Sequence, residues 1–205
     1  IEQFKTFIEL IGKDGTLVWY QGDPELRKIA ETNNNLHCIA YGLPDHRQEE
    51  GRVFLRGGGK EYPIKVFGDH NLQNIAGAQE VCRLLGVSDP EFYEAISTFG
   101  GASRRLQLIA DNAHTAIYLD FAHAPSKLKA TVLAMKEHYA KRQLCACMEL
   151  HTFSSLNRDF LSQYRGAMDA ADDAIVFYSP HALSLKRLPD ISPEDIRTAF
   201  GRDDL

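Results

Sequence analysis

Apolar and polar positions along this chain fall into short blocks, and the period of each block predicts its element. The run Ala116-Ile117-Tyr118-Leu119 is continuously apolar, with β-branched and aromatic content, and predicts a buried strand. Asp120 closes it, His123 follows after two residues, and Pro125 stands where a helix can start, because a missing N–H loses nothing at the first helical position. The helix is expected over 126–141, with Leu128, Val132, Met135 and Tyr139 on one face. Asp120 and His123 therefore fall in the loop leaving the carboxyl end of a strand, beside a helix N-terminus. Open α/β sheets bind ligands at that edge, and a helix N-terminus favours phosphate. The plainer role for Asp120 is to cap the helix.

Upstream, residues 1–11 pattern as an amphipathic helix through Phe4, Phe7, Ile8 and Ile11. A strand over 16–20, a helix over 25–31 opened by Asp23-Pro24, and a strand over 36–41 alternate as β-α-β, which predicts parallel pairing. Residues 52–56 and 62–67 flank Gly57-Gly58-Gly59-Lys60 and predict a hairpin. That glycine cluster is not a phosphate loop, which needs Ser or Thr after its lysine; Glu61 follows here. Gly68-Asp69-His70-Asn71 opens a helix that Gly86 ends. His70, Asn71 and Asn74 lie near its start. Asn71 and Asn74 share a face, and their amides suit a base edge; the alternative is simple capping by Asp69 or Asn71. Ser88 and Glu91 have capping-box spacing.

Gly100-Gly101-Ala102-Ser103 is a small-residue break and the expected domain boundary. Arg104-Arg105 leads into a strand over 106–110, where neighbours face opposite ways, so one arginine can reach a ligand. Beyond the 116–141 unit come a buried strand over 143–148 and a polar stretch, Glu149-Leu150-His151-Thr152-Phe153-Ser154-Ser155, at its carboxyl end. A helix is expected over 156–171 with Phe160, Tyr164 and Met168 inward, then a strand over 174–178, a loop over 179–189, and a last helix opened by Ser192-Pro193-Glu194-Asp195. The strands of this half make an incomplete doubly wound sheet.

Composition narrows the class. With 205 residues, 44% of them hydrophobic and 25% charged, the chain can build one large or two small cores. A net charge of −5 without a basic stripe argues against a nucleic-acid partner. No apolar run approaches the roughly 20 residues that span a bilayer, so no membrane partner is expected. The absence of a signal peptide and of any CxxC motif points to a cytoplasmic protein whose Cys38, Cys82, Cys145 and Cys147 are reduced core residues, with no zinc or disulfide role.

Four separated stretches, in order, resemble the Mur ligase family: Gly68-Asp69-His70-Asn71-Leu72-Gln73-Asn74, Phe99-Gly100-Gly101-Ala102-Ser103-Arg104-Arg105, Asp120-Phe121-Ala122-His123-Ala124-Pro125, and Glu149-Leu150-His151-Thr152. The resemblance covers nearly the whole chain. It implies the second half of a central ATPase-type α/β domain over 1–103, followed over 104–205 by a truncated Rossmann-like C-terminal α/β domain with a mostly parallel sheet. It implies ATP and Mg2+ as cofactors, and UDP-N-acetylmuramate with a peptide or amino-acid acceptor as substrates. The reaction implied is activation of a carboxylate to an acyl phosphate and attack by an amine. The same resemblance implies that His70, Asn71 and Asn74 approach adenine, that Arg104 or Arg105 reaches the nucleotide phosphates, and that Asp120 holds the ribose with His123 near the phosphates. Glu149, His151, Thr152 and Ser154 would face the acceptor.

Within the family, the alanine-adding branch usually carries two acids before its histidine pair and a His-Arg pair after its second strand. Asp120 stands alone after Leu119, and Thr152 follows His151, so the expectation leans to the recycling branch. That branch attaches the salvaged tripeptide L-Ala-γ-D-Glu-meso-diaminopimelate. Against this, many of its members have Arg where His151 stands. The family's UDP-binding domain, phosphate loop and magnesium ligands are expected upstream of Ile1, and the end of the C-terminal domain beyond Leu205. The alternatives are the alanine-adding branch, a folylpolyglutamate synthase, and a non-catalytic α/β module.

Overall fold

A computed structural model describes residues 2–32, 36–49 and 51–205. Ile1, where the first helix was expected to begin, lies outside them. The chain divides into two compact units, Ile1–Gly100 and Gly101–Leu205.

The first unit opens with α1 (Glu2–Glu9), which buries Ile8 but leaves Phe4 and Phe7 exposed, so the expected apolar face is only partly covered. Strand β1 (Thr16–Tyr20), helix α2 (Pro24–Thr32) and strand β2 (His37–Tyr41) form the expected β-α-β unit, with β1 and β2 parallel from Thr16↔His37 to Tyr20↔Tyr41. Asp23 starts α2 by accepting the Glu25 and Leu26 N–H groups at 2.8 and 3.1 Å. Strands β3 (His46–Glu49), β4 (Arg52–Gly57) and β5 (Lys60–Ile64) make an antiparallel meander. Gly58 and Gly59, at φ 56° and 75°, form the two-residue turn that only glycine adopts without strain. Helices α3 (Asp69–Leu84) and α4 (Asp89–Thr98) complete the unit. Its core holds Val53, Leu55, Phe67, Leu72, Ile75 and Phe92.

In the second unit, β6 (Gln107–Asp111) pairs antiparallel with β7 (Ala116–Leu119), and helix α5 (Pro125–His138) follows. Strand β8 (Cys145–Leu150) leads to the short helix α6 (Arg158–Leu161), and β8 lies parallel to β9 (Asp173–Tyr178). Helices α7 (Pro180–Leu185) and α8 (Pro193–Phe200) close the chain. The α/β class holds, with one parallel strand pair in each unit. The expected 156–171 helix breaks after a 3-10 turn at Ser162–Tyr164, where Gly166 takes φ 72°. Its inward residues are nonetheless right: Tyr164 and Met168 are fully buried beside Leu150, Leu161, Ile196 and Phe200, and Phe160 packs against them. The expected 179–189 loop contains α7, capped by Ser179 with Pro180 at its first position. Cys145 and Cys147 are exposed on one face of β8, and Cys38 and Cys82 are half-buried, so the expectation of four core thiols fails; all four are free. Among the described residues, no helix is long and apolar enough to cross a membrane.

Candidate functional site

Of the residues singled out above, Asp120 and His123 follow the carboxyl end of β7, and Glu149, His151, Thr152 and Ser154 lie at that of β8. Asp120 follows β7, as expected, but it does not cap α5. The cap position belongs to Ala124, which makes no side-chain bond. Asp120 Oδ2 instead accepts the Leu106 N–H at 2.7 Å, and Oδ1 lies 3.4 Å from the Thr131 hydroxyl on α5. The Phe121 N–H donates to the Arg104 carbonyl at 2.8 Å, a second tie across the same gap.

Those ties hold a turn, not a strand. Arg104 and Arg105 precede β6, so the argument that adjacent strand residues face opposite ways does not apply to them. Arg104 at φ 57° and Leu106 at φ 43° are both in the left-handed region, at about 1–2 kcal/mol each for a residue with a Cβ. Leu106 is buried, and both arginines are exposed.

His123 and His151 leave their strands in the same way. His123 Nδ1 lies 3.0 Å from the Phe121 carbonyl and His151 Nδ1 lies 3.3 Å from the Glu149 carbonyl. A carbonyl only accepts, so each Nδ1 carries the proton and each Nε2 is left to act on something else. The two imidazoles stand 6.4 Å apart, with the Phe121 ring 5.0 Å from His123 and 6.1 Å from His151. Beneath them, the Tyr164 hydroxyl donates to the His123 carbonyl at 2.5 Å. Phe121 and Tyr164 were not singled out as site residues. The Phe121 signal was its place between Asp120 and His123, whereas the tie from Tyr164, 41 residues downstream, left none.

The acceptor-facing set divides. Glu149 is on β8 itself, exposed, because the strand runs to Leu150 and not to 148. Thr152 is half-buried and bonded to Ser155. Its Oγ1 accepts the Ser155 N–H at 3.0 Å and sits 2.8 Å from Ser155 Oγ, which accepts the Thr152 N–H at 3.0 Å. That reciprocal box fixes the turn after His151. Ser154 is exposed, with its Oγ 3.3 Å from Thr152 Oγ1.

In the first unit, His70, Asn71 and Asn74 lie on the first turn and a half of α3. The Asn71 amide donates to the Phe67 carbonyl at 2.9 Å, so part of the expected base-reading capacity closes the helix entry instead; Asn74 is exposed.

Tyr164→Phe keeps the ring and removes only the bond to His123. The expected loss is about 0.5–1.5 kcal/mol of stability, readable by urea unfolding, with faster amide exchange in the 121–124 loop.

No family model matches the chain. A UDP-N-acetylmuramate–L-alanine ligase of Arthrobacter sp. (strain FB24) is 31% identical over 186 residues, covering 85% of this chain and 40% of the relative. The chain thus spans about two fifths of the length of the curated relatives it matches. Among solved structures, the UDP-N-acetylmuramate-alanine ligase of Thermotoga maritima superposes with a TM-score of 0.62 at 17% identity, over 90% of this chain and 41% of that one. A Mycobacterium tuberculosis folylpolyglutamate synthase complexed with ADP gives 0.60 at 15% identity, over 93% and 44%. A murein peptide ligase of Psychrobacter arcticus gives 0.55 at 18%, over 98% and 54%. These neighbours share the fold; the relatives by sequence and by structure are ligases.

Proposed function

We infer that the chain belongs to the Mur ligase family and forms the nucleotide- and acceptor-facing part of an ATP-dependent amide-bond ligase. The observation that carries this reading is the convergence of an exposed arginine turn and two Nδ1-anchored imidazoles at the strand ends of the second unit. Such a set suits transfer of a phosphoryl group, where the protein mainly positions the reactants and stabilises spread negative charge.

In this reading Arg104 and Arg105 meet nucleotide phosphate oxygens, and His123 donates to one of them when protonated. Asn74, with the remaining capacity of Asn71, and with His70 beside them, faces the adenine. The His151 Nε2 and the Glu149 carboxylate stand toward the incoming amine. The acyl donor is UDP-N-acetylmuramate; its carboxylate takes the γ-phosphoryl group of ATP and ADP leaves, then the amine attacks the acyl phosphate, loses a proton and expels inorganic phosphate. Magnesium would neutralise phosphate charge in such a reaction. Among the described residues, however, no three His, Cys, Asp or Glu side chains come together as a cation site, so no step is assigned to it here. The domain reading, a central-domain half over 1–103 and a C-terminal Rossmann-like part over 104–205, belongs to the same proposal, as does a cytoplasmic location.

The acceptor favoured by the relatives is L-alanine, not the salvaged tripeptide to which the single acid before His123 and the Thr after His151 had pointed. Eight relatives at 28–36% identity are named as UDP-N-acetylmuramate–L-alanine ligases. The test is competition in the full-length protein: with UDP-N-acetylmuramate and ATP, L-alanine is expected to outcompete the tripeptide in product mass spectra. Preferential incorporation of the tripeptide restores the recycling reading. His151→Ala is expected to raise the acceptor KM about tenfold while the ATP KM stays within about threefold, the loss of one hydrogen bond at the acceptor side. Equal rises in both would remove His151 from acceptor selection.

A further inference from the structure

We propose that Asp120 and Gln107 are positioning residues whose task is to hold the Arg104–Arg105 turn in its left-handed form, leaving both guanidiniums to a nucleotide. The inference rests on the reading of those arginines as phosphate ligands, and it gives Asp120 a different job from holding ribose.

The turn is unusual in three ways. First, two of its three residues, Arg104 and Leu106, have positive φ although neither is glycine. Such conformations persist where the surroundings over-determine them, and they cluster at functional sites. Second, all three of its N–H groups and one of its carbonyls are tied. The Arg104 N–H donates to Gln107 Oε1 at 2.9 Å, the Arg105 N–H to the Ala102 carbonyl at 3.1 Å, and the Leu106 N–H to Asp120 Oδ2 at 2.7 Å, while the Arg104 carbonyl accepts from Phe121 N at 2.8 Å. The buried Leu106 side chain pins the turn from below.

Third, the Asp120 carboxylate bonds the backbone of the turn and not its guanidiniums. A carboxylate that meets an arginine side chain commonly forms a bidentate, charge-assisted pair with it. Asp120 accepts a backbone N–H instead, and among the described residues neither arginine has an ion-pair partner. The arrangement holds the backbone that carries two adjacent cations and leaves both for an outside anion.

The test uses the full-length protein. Asp120→Ala removes the acceptor and is expected to raise the ATP KM about tenfold, with kcat falling less. Asp120→Asn keeps an oxygen for the Leu106 N–H and should stay within about threefold of the parent. Gln107→Leu and Gln107→Glu should repeat that contrast. With both arginines already changed to alanine, Asp120→Ala should add less than about threefold, because it acts through them. Full additivity in that background, or an Asp120→Asn as damaging as Asp120→Ala, would overturn the proposal, since either result means the carboxylate acts on the ligand itself. If the arginine changes leave both kcat and the ATP KM untouched, the phosphate reading of the arginines fails, and the clamp is judged by hydrogen exchange at the Leu106 amide. Protection lost in Asp120→Ala and kept in Asp120→Asn supports the clamp; equal protection in both rejects it.

Discussion

Replacing Tyr164 with alanine is expected to destabilise the second unit by about 3–5 kcal/mol, a large share of the roughly 5–15 kcal/mol that holds a domain folded. The ring is 0% exposed, stacks on Phe200 at 5.1 Å and 13°, and meets Phe160 edge-on at 6.1 Å. Removing it opens a cavity in the centre of the core and also releases the His123 carbonyl. Urea unfolding followed by circular dichroism measures the loss, and Tyr164→Phe supplies the reference, since it lacks only the hydroxyl. A loss below about 1 kcal/mol for the alanine variant would mean that the core re-forms without this ring, and that the His123 loop does not depend on it.

The second large effect concerns chemistry. Arg104→Ala together with Arg105→Ala is expected to lower kcat of the full-length ligase about 10²–10³-fold while leaving its melting temperature nearly unchanged. Both side chains are exposed and neither contributes an ion pair among the described residues, so the fold has little to lose. Activity within about threefold of the parent would take the arginines out of the reaction.

Local signals carried most of the fold. The β1–α2–β2 alternation, the Gly58-Gly59 hairpin and the capped starts of α4 and α8 are each written in a few adjacent residues, and each forms as expected. Strand β3 escaped because His46-Arg47-Gln48-Glu49 has no apolar alternation; its ladder to β4 holds it, a tertiary pairing no local pattern announces. Helix α7 escaped although Ser179-Pro180 repeats the Ser192-Pro193 opening, because the apolar pattern after it is short. The 156–171 period was helical, and its inward residues are right, yet the left-handed Gly166 divides the segment.

The site was legible at the level of place and less so of role. The strand-end positions of Asp120, His123 and His151 followed from hydrophobic runs ending in polar residues. That Asp120 bonds the Leu106 amide, that Thr152 is taken up by Ser155, and that Asn71 turns back to Phe67 depend on backbone geometry that periodicity does not encode. The recycling expectation rested on single residues beside the histidines, whereas a relative that matches over 85% of the chain is named as an alanine ligase, the alternative branch.

The central claim is that these residues serve an ATP-dependent amide-bond ligase, and the most direct test is product stoichiometry. The full-length protein, given UDP-N-acetylmuramate, L-alanine and ATP, is predicted to release ADP and phosphate in equal amounts with one new amide per ATP, detected by mass spectrometry. A folded protein that forms no amide with L-alanine or with the tripeptide, whether or not it hydrolyses ATP, would contradict the account.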